Sequence, residues 1–242
     1  MIKGFEKAKK GSLHRIVMSV EGQEKCGKTH FALTAPGPIA LIDMDTGLEG
    51  VVGKFAKEKE IYVKSYNWKD ATSQAEWTSM WEDSKGAFLA ALKEKEIRTL
   101  IVDTGTEWYE MIRLARFGKL NKVAMADGKA VPFPYGPVNT EFRDLIKKVY
   151  EGDKNLILIH KLKKEYIKDT FTGKYERAGF GDIPYIVQLN MRVWRKDGEL
   201  GFTVHDSRHN AEVAGLEMMA PMCDFETLAG EVFPDSKREE WS

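Results

Sequence analysis

The sequence carries, at residues 22–29, the stretch Gly22-Gln23-Glu24-Lys25-Cys26-Gly27-Lys28-Thr29. This G-x-x-x-x-G-K-T pattern lies between an apolar run over residues 13–20 and a helical segment over residues 28–35. Glycines let successive backbone N–H groups converge on phosphate oxygens, and a helix N-terminus adds its dipole. Lys28 would reach the terminal phosphates, and Thr29 would offer a hydroxyl to Mg²⁺. We therefore predict a nucleotide-phosphate site that also includes the next residue, His30.

Continuous apolar runs and helical segments alternate along the rest of the chain. The runs predict buried strands at residues 39–43, 61–66, 99–103 and 155–160. Helices are predicted at residues 70–95, with Asp70 as the cap, 108–120 and 140–150. Two late strands, 186–195 and 200–205, meet at Asp197-Gly198, a strong hairpin signal. This pattern predicts an α/β fold, a mainly parallel sheet flanked by helices with a C-terminal antiparallel hairpin.

The intervening segments complete the predicted organisation. Residues 121–138 are expected to form a long loop, and residues 161–182 an irregular polar stretch. The tail from Ala211 has only weak helical character. We expect residues 1–242 to form a single domain, with an N-terminal tail over residues 1–12 and a C-terminal extension over residues 206–242.

Composition narrows the function classes. Lysine plus arginine and aspartate plus glutamate each number 37, so any nucleic-acid binding needs a local basic patch. The two cysteines, Cys26 and Cys223, have neither disulfide-scaffold nor metal-ligand spacing, which favours a reducing, cytoplasmic setting. No apolar run approaches the roughly 18 residues that a membrane span needs. We expect no membrane partner.

Several carboxylates could complete the nucleotide site. Asp103 ends the apolar run Leu100-Ile101-Val102-Asp103, where a neighbouring strand would present a Mg²⁺ ligand, and a helix cap is the alternative. Three candidates exist for a base that positions water: Asp45, Glu107 and Glu24. Ligands sit outside the carboxyl ends of parallel strands, which favours Asp45. For Glu107 the alternative is a first-turn carboxylate that interacts favourably with the helix dipole.

A basic and aromatic stretch follows the last predicted parallel strand. Residues 161–177 hold six basic and three acidic side chains with aromatic residues between them, the ingredients of sequence-independent single-strand binding. A solvated loop with incidental aromatics is the alternative. Residues 116–138 form a second stretch of net positive charge. The predicted DNA-binding residues are Lys163, Lys164, Tyr166, Lys168, Phe171, Lys174 and Arg177.

The order of these motifs resembles the RecA-like P-loop ATPase core, especially the short phage ATPases of that superfamily that act in single-strand annealing. Their phosphate loop resembles Gly-x-Glu-x-x-Gly-Lys-Thr, and Glu24 occupies the acidic position. Their next strand ends Ile-Asp-x-Glu, similar to Ile42-Asp43-Met44-Asp45 here. The resemblance extends over about residues 15–195 and lacks the accessory domains of full recombinases.

The resemblance implies roles for particular residues. Asp45 falls at the position of the water-activating glutamate, with a side chain one methylene shorter, and Lys28 takes part in catalysis. His160 falls where the family has a γ-phosphate sensor before a mobile DNA-binding loop, and a purely structural histidine is the alternative. Phe5-Glu6-Lys7-Ala8 resembles the Phe-x-x-Ala tether by which some relatives polymerise.

Taken together, these expectations describe an ATP- and Mg²⁺-dependent protein that binds single-stranded DNA. It would form a homo-oligomeric ring or filament, with a single-strand-binding protein as a further partner. Two alternatives stay open: a P-loop kinase that phosphorylates a small acceptor, and an ATP-gated switch with little turnover. A kinase would need a lid with convergent arginines, and residues 161–177 contain only Arg177.

Overall fold

The structure of the chain, a computed structural model, describes residues 14–118, 123–124, 130–131, 134–237 and 241. The predicted tail over residues 1–12 lies outside these ranges, as does half of the predicted loop over residues 121–138. No helix in the described part of the chain is long and apolar enough to cross a membrane.

Strands and helices alternate through most of the chain. The strands are β1 (Val17–Gly22), β2 (Ile39–Asp43), β3 (Ile61–Ser65), β4 (Thr99–Asp103), β5 (Val123–Ala124), β6 (Ala130–Val131), β7 (Asn155–Ile167), β8 (Thr170–Arg177), β9 (Leu189–Lys196), β10 (Glu199–Ser207) and β11 (Glu217–Met219). The helices are α1 (Lys28–Leu33), α2 (Val52–Phe55), α3 (Gln74–Lys93), α4 (Gly105–Phe117), α5 (Tyr135–Lys147), α6 (Ile183–Ile186) and α7 (Phe225–Val232). Short 3₁₀ turns lie at Trp68–Asp70, Lys148–Glu151 and Ala211–Val213.

One large sheet organises the molecule, with the strand order β11-β10-β9-β1-β7-β4-β2-β3 and β8 paired to β7. The pairs from β9 through β1, β7, β4 and β2 to β3 are parallel, whereas β10 is antiparallel to β9 and β11. β7 therefore separates β1 from β4. The predicted α/β class is confirmed: the sheet is mainly parallel, flanked by helices and extended by the β9–β10 hairpin.

A hydrophobic core lies on each face of the sheet. On one face α3, α4 and α5 bring together large aromatic side chains, and ring centroids of Trp108 lie 5.1 Å from Phe88 and 5.4 Å from Phe142. On the other face, α1 and α7 pack Phe31 and Phe225 against the sheet. Strands buried on both faces are apolar at most positions, which is why they appear in the sequence as nearly continuous runs.

Helix starts differ from the predicted ones where a side-chain cap decides them. The long helix α3 begins after Ser73 rather than at Asp70, because Ser73 and Glu76 form a reciprocal capping box. α4 begins at Gly105, three residues before the predicted start at Trp108, because the Thr104 side chain accepts a hydrogen bond from Glu107 N–H.

One prediction of irregular structure was wrong, and the tail, predicted as weak helix and coil, is more regular than expected. Residues 161–182 do not form a loop throughout: β7 runs on to Ile167 and turns back into β8. The turn residues Lys168 and Asp169 adopt φ values of 48° and 62°, as a tight hairpin requires. The tail contains β11 and α7, and the apolar face of α7 is buried in the core. Cross-strand pairing and burial stabilise both segments, and neither interaction is visible in local sequence spacing.

Candidate phosphate site

The glycine-rich loop joins β1 to α1 and packs tightly against the sheet. Gly27 has a φ of 97°, and a Cβ there would lie 2.7 Å from Leu200 Cδ2. A Cβ at Gly22 would lie 2.4 Å from the Val193 carbonyl oxygen. Both positions need glycine because of close packing, and Gly27 also because of its left-handed backbone.

A cavity of about 710 Å³ opens at this loop. Every predicted nucleotide-binding residue lines it except Cys26, whose side chain is buried and faces the core. Lys28 Nζ donates to the Gly22 and Gln23 carbonyl oxygens, at 3.0 and 2.6 Å. The predicted loop residues on the cavity wall are Gly22, Gln23, Glu24, Lys25, Gly27, Lys28, Thr29 and His30.

The two predicted metal ligands lie together at the floor of this cavity. Thr29 Oγ1 donates to Asp103 Oδ2 at 2.6 Å, although the residues are 74 positions apart. Burial, together with the nearby carboxylates of Asp45 and Asp43, raises the pKa of Asp103 to about 7. Asp43 is buried beside it, accepts from Ser65 Oγ and does not line the cavity.

The candidate bases take different positions around this floor. Asp45 lines the phosphate cavity, and its Oδ1 accepts from Gly47 N at 3.1 Å. Glu107 lines a second cavity of about 370 Å³ that shares Asp45 and Lys161 with the first. Burial raises the pKa of Glu107. Glu24 is an exposed part of the loop.

Lys161 is a site residue that the sequence prediction missed. Its Nζ lies 3.6 Å from Asp45 Oδ2 and forms an ion pair with Glu107, and its side chain lines the phosphate cavity. The sheet register places Lys161 opposite Gly22. The strand-end rule that identified Asp45 could have found it, since Lys161 directly follows the apolar run of β7.

His160, the predicted γ-phosphate sensor, does not lie at the phosphate site. It is fully buried and does not line the phosphate cavity. The ring packs against Gly105, where a Cβ would lie 3.0 Å from His160 Cε1. Burial, with the Arg177 charge nearby, lowers the pKa of His160 to about 3, so the ring is neutral. Adjacent residues of a strand face opposite sides of the sheet, and this alternation separates His160 from Lys161.

The predicted DNA-binding residues divide into two groups. The side chains on the β7–β8 hairpin are exposed, with Tyr166 58% and Phe171 39% accessible, and Lys164 Nζ lies 5.4 Å from the Phe171 ring centroid. Arg177 instead points inward and donates to Ser19 Oγ and Asn190 Oδ1. The residues of the exposed group are Lys163, Lys164, Tyr166, Lys168, Phe171 and Lys174.

Beneath the hairpin lies an ionic network that the sequence gave no reason to expect. Glu21, just before the loop, is buried and pairs with Arg192, Arg177 and His205. Burial alone would raise the pKa of Glu21, but hydrogen bonds from His205 and Arg192 outweigh it and hold the pKa at about 2. The network ties the hairpin base to β1, β9 and β10.

The site fits a nucleotide with its metal. Glycine backbone cradles a cavity, Lys28 supplies a cation there, and the Thr29 hydroxyl and Asp103 carboxylate converge as the hard oxygen ligands that Mg²⁺ prefers. β4, which ends in Asp103, is separated from the loop strand β1 by one strand. This strand order and loop define a P-loop nucleotide-binding domain of the ATPase type.

Comparison with known proteins agrees with this class. A family model described as an AAA domain, AAA_24, matches residues 14–184, and the chain belongs to this family. No curated protein sequence is significantly similar to the chain. The crystal structure of the RadB recombinase is similar at 13% sequence identity, over 84% of this chain and 86% of that one, with a TM-score of 0.48. A similarity this distant adds no argument to those from the site itself.

Proposed function

We propose that the chain is an ATPase that binds single-stranded DNA and acts in recombination or annealing, as the short phage ATPases do. The continuity of β7 carries this proposal. Lys161 lines the phosphate cavity, and the same strand runs on without a break into the exposed basic hairpin. A change at the phosphates can therefore reach the hairpin along one strand, whose pairing with β8 shifts register between Lys164 and Tyr166.

In this proposal the loop holds the triphosphate of ATP. Lys28 exchanges its two carbonyl partners for phosphate oxygens, which leaves the loop N–H groups and the α1 N-terminus to bind the remaining negative charge. The Thr29 hydroxyl and Asp103 carboxylate hold Mg²⁺. When bound, Mg²⁺ neutralises charge on the β- and γ-phosphates.

Asp45 is the proposed base. It lines the phosphate cavity, whereas Glu107 lines the neighbouring one, so the Asp45 carboxylate can orient water toward the γ-phosphate. The Lys161 ammonium lies between these two carboxylates. We assign Lys161, rather than His160, to contact the γ-phosphate, because it is the charged β7 side chain on the cavity wall.

The hairpin supplies the proposed DNA contacts. Its lysines would pair with backbone phosphates, and Tyr166 and Phe171, with ring centroids 5.9 Å apart, would stack with bases. Arg177 anchors the hairpin instead of contacting DNA. Since it also does not line the phosphate cavity, the hairpin lacks the arginine that a kinase lid would need.

ATP turnover with and without single-stranded DNA tests the proposal. We expect single-stranded DNA to stimulate turnover, Asp45→Asn to remove turnover while ATP still binds, and Glu107→Gln to have little effect. An ATP turnover rate that is the same with and without single-stranded DNA would contradict the proposed role in DNA binding. Phosphate transfer to a small acceptor would identify a kinase, and binding without turnover would identify a switch protein.

Assembly belongs to the same proposal. We propose a homo-oligomer, ring or filament, with a single-strand-binding protein as a further partner. The mass of the protein in solution, measured with an ATP analogue and an oligonucleotide, tests the homo-oligomer. Co-sedimentation with a single-strand-binding protein tests that partner. A monomer under all these conditions would contradict the oligomer.

A further inference from the structure

We propose that single-stranded DNA enters a cleft between the β7–β8 hairpin and strand β9, where it contacts Trp194 and Arg195 beside the phosphate loop. The inference rests on the proposed DNA-binding function and assigns the path that the DNA takes across the protein. The cleft contains a cavity of about 400 Å³ whose walls include Lys25, Leu162, Tyr175, Arg192, Trp194 and Arg195. We call it the inner cleft.

The floor of the inner cleft is the part of the sheet face at Arg192 and Trp194, where no described helix packs; at the start of β9, by contrast, Asn190 Nδ2 donates to the Pro184 carbonyl oxygen of α6. Along β9, Met191 and Val193 are buried in the core that contains α1 and α7. Arg192 and Trp194 alternate with them and are partly exposed on the other face. Arg195 belongs by this alternation to the face of Met191 and Val193, and near the end of β9 it lines the cavity from the side of the phosphate loop. Helices α3, α4 and α5 cover that face only over the neighbouring strands.

The hairpin crosses this uncovered face and is held there by polar contacts. Arg192 donates to the Tyr175 carbonyl oxygen at 3.3 Å and through Nε to Glu21 Oε1 at 2.9 Å. Arg177 donates to Ser19 of β1 and Asn190 of β9, two buried residues of the sheet that do not line the cavity. These contacts therefore hold the β7–β8 hairpin against strands β1 and β9.

One face of the hairpin leads from its tip into the inner cleft. Strand pairing puts Leu162 opposite Arg177, Lys164 opposite Tyr175, and Tyr166 opposite Phe171. The Phe171 ring centroid lies 5.9 Å from that of Tyr166 and 5.8 Å from that of Tyr175. The aromatic row thus continues from the exposed tip to Tyr175, which lines the cavity.

Trp194 extends this row across the cleft as a fixed ring. One side of the indole packs on Gly201, where a Cβ would lie 2.3 Å from Cη2, and Nε1 donates to Thr203 Oγ1 at 2.9 Å. A ring held in place loses little entropy when a base stacks on it.

Charge favours a nucleic acid over a second protein chain as the occupant. Lys25, Arg192 and Arg195 line the cavity with Glu24 as the one acidic side chain on the same wall, and Arg192 also neutralises Glu21. Cations beside aromatic rings suit a phosphate backbone with unstacked bases. Because Lys25 belongs to the phosphate loop, single-stranded DNA in the inner cleft would contact the loop that is proposed to hold ATP.

Photo-crosslinking of a halogenated-uracil oligonucleotide to the full chain, mapped by mass spectrometry, tests the path. We expect crosslinks at Tyr175 or Trp194 as well as at the tip. Arg195→Gln should weaken the affinity for the oligonucleotide. The salt slope, the slope of log affinity against log salt concentration, should become shallower by about 0.7, the value for one phosphate contact with a single strand. Lys196→Gln is the matched control, since it removes a charge from the next, exposed residue that does not line the cavity.

Trp194→Leu should weaken binding about 5- to 100-fold, whereas Trp194→Phe, which keeps a ring, should lose much less. Crosslinks confined to Tyr166 and Phe171, with Arg195→Gln equal to Lys196→Gln, would overturn the cleft while leaving DNA binding intact. Failure of the wild-type chain to bind the oligonucleotide would overturn the proposed function itself. If Arg195→Gln changes oligomeric mass but not DNA affinity, a second copy occupies the cleft and the inference is wrong.

Discussion

Replacement of Glu21 by glutamine tests the ionic network under the hairpin. The Glu21 side chain is 8% exposed and pairs with Arg192, Arg177 and His205. Glutamine has the shape of a protonated glutamate, so Glu21→Gln removes the charge and little else. Two guanidinium groups then lose their buried counter-charge.

The pKa of Glu21 sets the size of the effect. It is about 2 in the folded protein, against 4.5 for a free glutamate side chain, which corresponds to about 3 kcal/mol of stability at pH 7. Because the folded-state pKa is the lower one, this stability is present above the unfolded pKa and is lost as pH falls toward 2. At pH 3 about 1 kcal/mol should remain.

Urea denaturation of the wild type and Glu21→Gln at pH 7 and pH 3 measures this difference. We expect the two proteins to differ by about 3 kcal/mol at pH 7 and by about 1 kcal/mol at pH 3. Glu199→Gln, at an exposed position, is the control and should stay within about 0.5 kcal/mol of wild type. A difference that does not change with pH would refute the ionic explanation.

Three further predictions concern the phosphate site and the hairpin. Lys28→Ala should abolish Mg-ATP binding in calorimetry, because backbone dipoles alone then face the triphosphate; unchanged affinity would refute the site. Asp103→Asn should fold normally but lose the Mg²⁺ dependence of binding, and a wild-type Mg²⁺ titration would assign the metal to another carboxylate. Replacing Lys163, Lys164 and Lys168 together by alanine should make the slope of log DNA affinity against log salt concentration shallower by roughly two. An unchanged slope would count against these contacts.

The sequence predicted the mainly parallel sheet and the loop at residues 22–29 because both signals are local. Strands buried on two faces are continuous apolar runs, and the glycine–lysine–threonine spacing is read from adjacent residues. Asp197-Gly198 likewise predicted the β9–β10 hairpin correctly. The β7–β8 hairpin gave no such signal, because its turn residues are Lys168 and Asp169 and its aromatic side chains are exposed among many charged ones instead of forming a buried apolar run.

Tertiary structure alone decided which side chains meet. Thr29 and Asp103 are 74 residues apart and come within 2.6 Å only because β4 lies one strand away from β1. The sequence pointed to His160, whereas the pleat of β7 places Lys161 and not His160 on the cavity wall, because adjacent strand residues face opposite sides of the sheet. Burial of Arg177 against the sheet depends in the same way on where the hairpin folds back, which is set by contacts distant in sequence.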